Sequence, residues 1–267
     1  MTRIDLGDIS LAVDERGKVE PPLVLMHGYT GGQLDWIDVV DHFASTRRVI
    51  TYDHRGHGES DNTGDAESYT FDQLLRDFAR LVDALGLEQF DLLGHSMGGI
   101  ISMRYTFDHP ERVRSLVLMD TGAEMAGAIP TEWTEMVVKI ADQQGMAAVG
   151  AMFGEYVAKT GDPERAHVLA ERLQWKFEHL DRAAFVALAH ALHRYESLVP
   201  RLAELHCPVT VIVGENDHGL RNSADILARE IKGAELFVIP DAAHSPQDEN
   251  RVAWIAAVDA HLARVDQ

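Results

Sequence analysis

The sequence predicts an α/β fold: a mostly parallel, eight-stranded sheet flanked by helices, with a helical cap inserted after the sixth strand. Three observations point there. Short apolar runs alternate with helical apolar spacings over residues 1–122 and again over 206–267. The segment Asp91-Leu92-Leu93-Gly94-His95-Ser96-Met97-Gly98-Gly99 puts a Gly-x-Ser-x-Gly pattern between one such strand and a helix. Between the two alternating regions, residues 123–205 carry helical patterns and no convincing strand.

Taken in order, residues 4–6 and 9–13 read as two short antiparallel strands joined at Gly7-Asp8, with Glu15-Arg16-Gly17-Lys18 as the turn after them. Pro22 to Met26 is an unbroken apolar run, as a strand buried on both faces should be. It leads into His27-Gly28-Tyr29-Thr30-Gly31-Gly32 and a helix expected over 34–44. Arg48 to Tyr52 is the next strand, and Asp53-His54-Arg55-Gly56-His57-Gly58-Glu59-Ser60 a well-bonded structural turn. Phe71, Leu74, Leu75, Phe78, Leu81, Val82 and Leu85 share one face of a helix over 70–85 that Gly86 closes. Phe90 to Leu93 is a strand, 100–107 a helix, and Val113 to Met119 a strand ending at Asp120-Thr121-Gly122.

In the insertion, helices are expected over 133–144, 146–159, 164–179 and 182–192. Such an insertion between core strands is the expected place for a cap over the site. Trp133, Met136, Met146, Met152, Phe153 and Trp175 are expected to pack it onto the core, a few of them lining a substrate cavity. The alternation resumes with strand 208–213, helix 221–231, strand 235–239 and helix 251–262.

Composition bounds the function. A chain of 267 residues holds one α/β domain with a large core, and 46% hydrophobic with 25% charged residues is ordinary for a soluble protein. The net charge of -19 argues against nucleic acid or an anionic membrane as partner. No apolar run reaches the roughly 18 residues of a membrane span, and the N-terminus lacks a signal-peptide core, so a cytoplasmic protein is expected. The lone Cys207, beside Pro208 at a strand start, excludes an intrachain disulfide and reads as structural. His54 and His57 lack the carboxylate or cysteine partners of a metal site, and no metal or cofactor is expected.

The serine segment has a chemical reading and a bland one. In the bland one, Gly94, Gly98 and Gly99 make a tight turn and Ser96 caps a helix. In the chemical one, Ser96 is raised on a strained turn whose glycines let strand and helix approach closely. The order of residues favours the second. An acid, Asp217, follows a later strand, and a histidine, His244, follows the last one. His244 would take the proton of Ser96, and Asp217 would fix the imidazole. The backbone N–H groups of Met97, just past the serine, and Tyr29, in the His-Gly loop, are the expected oxyanion donors. Asp120 also ends a core strand and is the alternative acid; otherwise it caps the turn into the insertion. His218 is expected to face solvent or the cap, His95 to pack beside the serine, and His190 and His193 to be solvated or structural.

Together, His27-Gly28, Asp53-His54-Arg55-Gly56-His57-Gly58, Gly94-His95-Ser96-Met97-Gly98-Gly99, Gly214-Glu215-Asn216-Asp217 and Ala243-His244 resemble the α/β-hydrolase-fold serine hydrolases over almost the whole chain. The turn at Asp53 and Leu118-Met119-Asp120-Thr121 are similar to those of small esterases, enol-lactonases and haloperoxidase-like perhydrolases of that fold. The resemblance implies hydrolysis of a small carboxylic ester or lactone, with a meta-cleavage C–C bond hydrolase or cofactor-free perhydrolase as alternatives. A ligand receptor built on the same fold is the reading from a different class. The expected partner is a small carbonyl substrate, and a homo-oligomer is allowed.

Overall fold

The structure, a computed structural model, describes residues 1–124, 130–160 and 165–267, without the side chains at 156 and 158–160. Eight strands form one sheet: β1 (Thr2–Asp5), β2 (Ser10–Arg16), β3 (Leu23–Met26), β4 (Val49–Tyr52), β5 (Phe90–His95), β6 (Val113–Met119), β7 (Val209–Gly214) and β8 (Glu235–Ile239). Their spatial order is β1-β2-β4-β3-β5-β6-β7-β8. The pairings of β1 with β2 and β2 with β4 are antiparallel; every other pairing is parallel. Apolar runs explain the middle of the sheet, since β3, β4, β5 and β7 are buried at every residue. One departure lies in β2, which continues through Glu15 and Arg16 because these pair with Ile50 and Val49. The turn therefore begins at Gly17.

Helices cover both faces. They are α1 (Val40–Ala44), α2 (Phe71–Ala84), α3 (Met97–Asp108), α4 (Thr131–Gln144), α5 (Met146–Thr160), α6 (Ala166–Glu178), α7 (Arg182–Arg194), α8 (Arg221–Glu230), α9 (Pro246–Glu249) and α10 (Arg251–Val265). The helix expected over 34–44 is broken into a 3-10 turn, Gln33–Asp35, and the short α1. The cause is local. The Asp35 carboxylate folds back onto the Gly32 N–H at 3.0 Å, and the chain then swings to seat the buried Trp36 ring against Trp254. In α2 the start is the expected one, with the Thr70 hydroxyl accepting from the Gln73 N–H at 3.1 Å. The short helix α9 was not legible; it begins at Pro246 beneath the Ser245 carbonyl, which accepts from Asp248 and Glu249.

Between β6 and β7 lie α4 to α7, so the insertion is helical as expected. Glu164, the expected first residue of its third helix, and residues 125–129 lie outside the described residues. Its attachment to the core is both apolar and ionic. Trp133, Met146, Met152 and Phe153 pack against the core, whereas Met136 is 44% exposed and does not, and Trp175 stacks on His179. From α6, Lys176 pairs with Asp35 and Arg172 with Asp38, a carboxylate that Arg165 also meets. Among the described residues no helix is long and apolar enough to cross a membrane.

Packing is tight at the start of α3. A Cβ on Gly94 would lie 2.5 Å from the Gly98 carbonyl oxygen, and one on Gly98 would lie 2.6 Å from those of both Met26 and His27. These neighbours are backbone and cannot rotate away. Gly98→Ala is therefore expected to lose about 1–3 kcal/mol of stability by overpacking, read from the urea midpoint. An unchanged midpoint would mean that β3 and α3 have room to separate.

Candidate active site

The ends of five neighbouring parallel strands, β3, β5, β6, β7 and β8, build the site. Ser96 is the single residue between β5 and α3, and its backbone sits at φ 53°, ψ −119°, a conformation that costs a non-glycine residue about 1–3 kcal/mol. Its side chain makes no capping bond to α3, which removes the bland reading of Ser96 as a helix cap. Asp217 lies just past β7, and His244 follows β8. The structure brings all three together. His244 Nε2 lies 3.1 Å from Ser96 Oγ, and His244 Nδ1 lies 2.7 Å from Asp217 Oδ2. Ser96 and Asp217 are buried while His244 is exposed, so the imidazole remains reachable.

Burial alone would raise the Asp217 carboxyl, but the hydrogen bond and charge of His244 outweigh it and hold the acid below its ordinary value. Its Oδ1 also accepts the Leu220 N–H at 3.2 Å. Asp217 is thus kept as an anion facing the imidazole.

The other expected participants are backbone groups. Met97 opens α3, where helical N–H groups lack intrahelical partners. The loop after β3 crosses the serine so closely that a Cβ on Gly28 would lie 3.0 Å from Ser96 Cβ. Tyr29 follows. Among the described residues neither the Tyr29 nor the Met97 N–H has a hydrogen-bond acceptor. Tyr29 is otherwise fixed at both ends: its hydroxyl donates to the Phe185 carbonyl on α7, its ring stacks on Phe185 at 5.3 Å, and its carbonyl meets His57 Nε2 at 2.6 Å.

Several contacts were not foreseen. His95 does more than pack. Burial drives its imidazole down to about 3, so it is neutral and donates from Nε2 to the His244 carbonyl at 2.7 Å. Glu249 accepts the N–H groups of Ala243 and Ser245, on both sides of His244. Asp120 does not cap its own turn: Oδ1 accepts the Gly214 N–H at the end of β7, at 2.9 Å. The histidines of the Asp53 turn are buried, with His27, His54 and His57 rings packed together. His218 is exposed as expected, and His193 bonds Thr134 inside the insertion. Among the described residues, the potential metal ligands that converge are Asp120, Asp217 and His244, with atoms within 4.8 Å of one another. Both nitrogens of His244 are already engaged by Ser96 and Asp217, an arrangement suited to proton transfer.

The chain matches the alpha/beta hydrolase fold family over residues 21–251. It is 30% identical to the 2-hydroxy-6-oxononadienedioate/2-hydroxy-6-oxononatrienedioate hydrolase of Escherichia coli O139:H28, over 93% of this chain and 89% of that one. A carboxylesterase structure from the ammonia-oxidizing thaumarchaeon Nitrososphaera gargenis is 27% identical with a TM-score of 0.81, covering 97% of this chain and 96% of that one. The enol-lactonase of Burkholderia xenovorans LB400 has the same fold, with a TM-score of 0.85 at 24% identity over 98% of this chain and 100% of that one.

Buried neutral histidines make stability depend on pH. His95 and His261 are both pushed to about 3 by burial, from 6.5 when exposed. Their contribution is complete above 6.5 and is lost as pH falls toward 3, because only the unfolded chain binds the proton in that window. Each should cost about 1.4 kcal/mol per pH unit there. Urea denaturation between pH 7 and pH 4.5 should show this fall and a shallower one in His95→Gln. Equal slopes would mean that His95 titrates normally in the fold.

Proposed function

Because this chain belongs to the α/β-hydrolase fold family, we propose that it is a serine hydrolase cleaving a small, largely apolar carboxylic ester or lactone through an acyl-enzyme intermediate. The observation that carries this reading is the continuous Ser96–His244–Asp217 hydrogen-bonded line on a strained serine. A serine hydroxyl is too weak an acid to attack a carbonyl unaided. His244 Nε2 takes the Oγ proton as the Oγ–carbon bond forms, and Asp217 stabilises the resulting imidazolium. The carbonyl oxygen becomes an oxyanion between the Met97 and Tyr29 N–H groups, each such donor worth about 10²–10³ in rate. Collapse expels the alcohol, which receives the proton from His244. Water then attacks the acyl-serine by the same route, releasing the acid.

The surroundings favour an apolar acyl group. Trp133, Phe153, Phe177 and Phe185 form a chain of ring contacts through the insertion to Tyr29. The insertion, residues 123–205, acts in this reading as a lid set on the core formed by 1–122 and 206–267. Its cations at Arg165, Arg172, Lys176 and Arg182 are each held by an aspartate, which leaves them poorly placed to neutralise a dianionic substrate. The second reading is C–C bond hydrolysis, supported by the 30% identity to the Escherichia coli hydrolase.

Hydrolysis of p-nitrophenyl esters from acetate to laurate, beside a lactone panel, tests the choice. Turnover that peaks at one chain length and disappears in Ser96→Ala is expected, and Ser96→Ala should also abolish labelling by a fluorophosphonate probe. Labelling that survives would remove Ser96 from the role. A parent enzyme that labels but is silent on every ester and lactone would favour C–C cleavage. Asp217→Asn should lower kcat by about 10⁴ by releasing the imidazole from its tautomer, and Asp120→Asn far less; the reverse ranking would move the acid to Asp120.

A further inference from the structure

The acid end of the triad holds one carboxyl group more than the chemistry above uses. Asp120 lies just past β6 at φ 42°, in the left-handed region, and is 1% exposed. Its backbone is pinned by its own N–H to the Ile212 carbonyl and its Oδ1 by the Gly214 N–H, both at 2.9 Å. Oδ2 is different: it is fully buried and receives no hydrogen bond. Asp120 belongs to the cluster in which it, Asp217 and His244 bring one ligand atom each within 4.8 Å of one another.

A buried oxygen with no donor, next to a second carboxylate, has one inexpensive solution. Two adjacent buried carboxyl groups do not both ionise. The proton settles on the one with fewer donors. Asp217 receives the His244 imidazole on Oδ2 and the Leu220 N–H on Oδ1. Asp120 receives a single N–H on Oδ1 and nothing on Oδ2.

We propose that Asp120 is a positioning residue, held as a neutral carboxylic acid whose Oδ2–H donates to Asp217 and fixes the carboxylate that orients His244. Burial, followed by the Asp217 charge, drives the Asp120 carboxyl well above its ordinary value, in agreement with this assignment. The titratable groups that face it are Asp217 from the loop after β7, His244 from the loop after β8 and Glu249 from α9. The strained backbone acquires a purpose: the left-handed turn aims the side chain across the sheet toward β7 instead of along its own loop. The inference rests on Asp217 being the triad acid.

The test compares Asp120→Asn, Asp120→Ala and Asp217→Asn with the parent, on pH profiles of kcat and kcat/KM for p-nitrophenyl butyrate, and adds infrared spectra at pH 7. The parent should show a carboxylic-acid C=O band that Asp120→Asn removes. The Asn amide still donates to Asp217, so that variant should lose no more than about threefold in kcat, with the acid limb of its profile in place. Asp120→Ala removes the donor and should lose about tenfold or more in kcat with KM little changed. Absence of the band would overturn the proposal, and this reading needs no folded Ala variant. An acid limb moved down by about one unit in Asp120→Asn would do the same, since removing an anion lowers the proton affinity of His244. Ala behaving like Asn would also overturn it, because the donor to Asp217 would then be dispensable. If Asp217→Asn stays active while Asp120→Asn is dead, the failure lies in the triad assignment, with Asp120 as its acid.

Discussion

One constraint organises the molecule: the backbone of α3 must start against the ends of β3 and β5 with no side chain in between. Gly94 and Gly98 make that approach possible, and Ser96 absorbs its geometric cost by adopting a left-handed conformation. Everything else at the site is measured from that point. The β3 loop can pass over the serine only because Gly28 brings no Cβ against it, and Thr121 bonds the Ser96 carbonyl from the neighbouring strand end. The serine is therefore presented by backbone packing and needs no polar group of its own to hold it.

The insertion is held by different means. Its apolar face joins the core, but its sides are fastened by charges on Asp35 and Asp38. In a chain with a net charge of -19 such anions are abundant, and the arginines and lysine of α6 neutralise some where they meet the core. Buried charge is expensive to desolvate, so these pairs contribute orientation more than stability. Asp248, raised to about 6 by burial with Asp35 adding to it, shows how crowded with acids this seam is.

Much of this was legible in the residues. Strands and the helices of the insertion announce themselves by apolar spacing, and the order of Ser96, Asp217 and His244 along the chain anticipates their convergence in space. What stayed hidden depends on side-chain direction. No rule of spacing indicates that Asp120 reaches sideways to Gly214, since the cause is a backbone angle. His95 looks like packing because its partner, the His244 carbonyl, is 149 residues away. Glu249 was missed with α9 itself, a four-residue helix too short to carry a period. The break after Asp35 escaped for a related reason: the pattern over 34–44 is helical, and a side chain folding back on Gly32 overrides it.

The position of β8 has a further consequence. It is the outermost strand on its side of the sheet, paired only with β7, and just one of its five residues is buried. Ser96, the proposed nucleophile, hangs from the centre of the sheet, and His244, the proposed base, from its margin. Marginal strands open locally at lower free energy than central ones. In the proposed reading, fraying of β8 would withdraw His244 while Ser96 keeps its place on an intact scaffold. Loss of activity on warming would then precede loss of the fold, and would reverse on cooling. Amide exchange faster in β8 than in β5 is its signature, and equal rates would count against it.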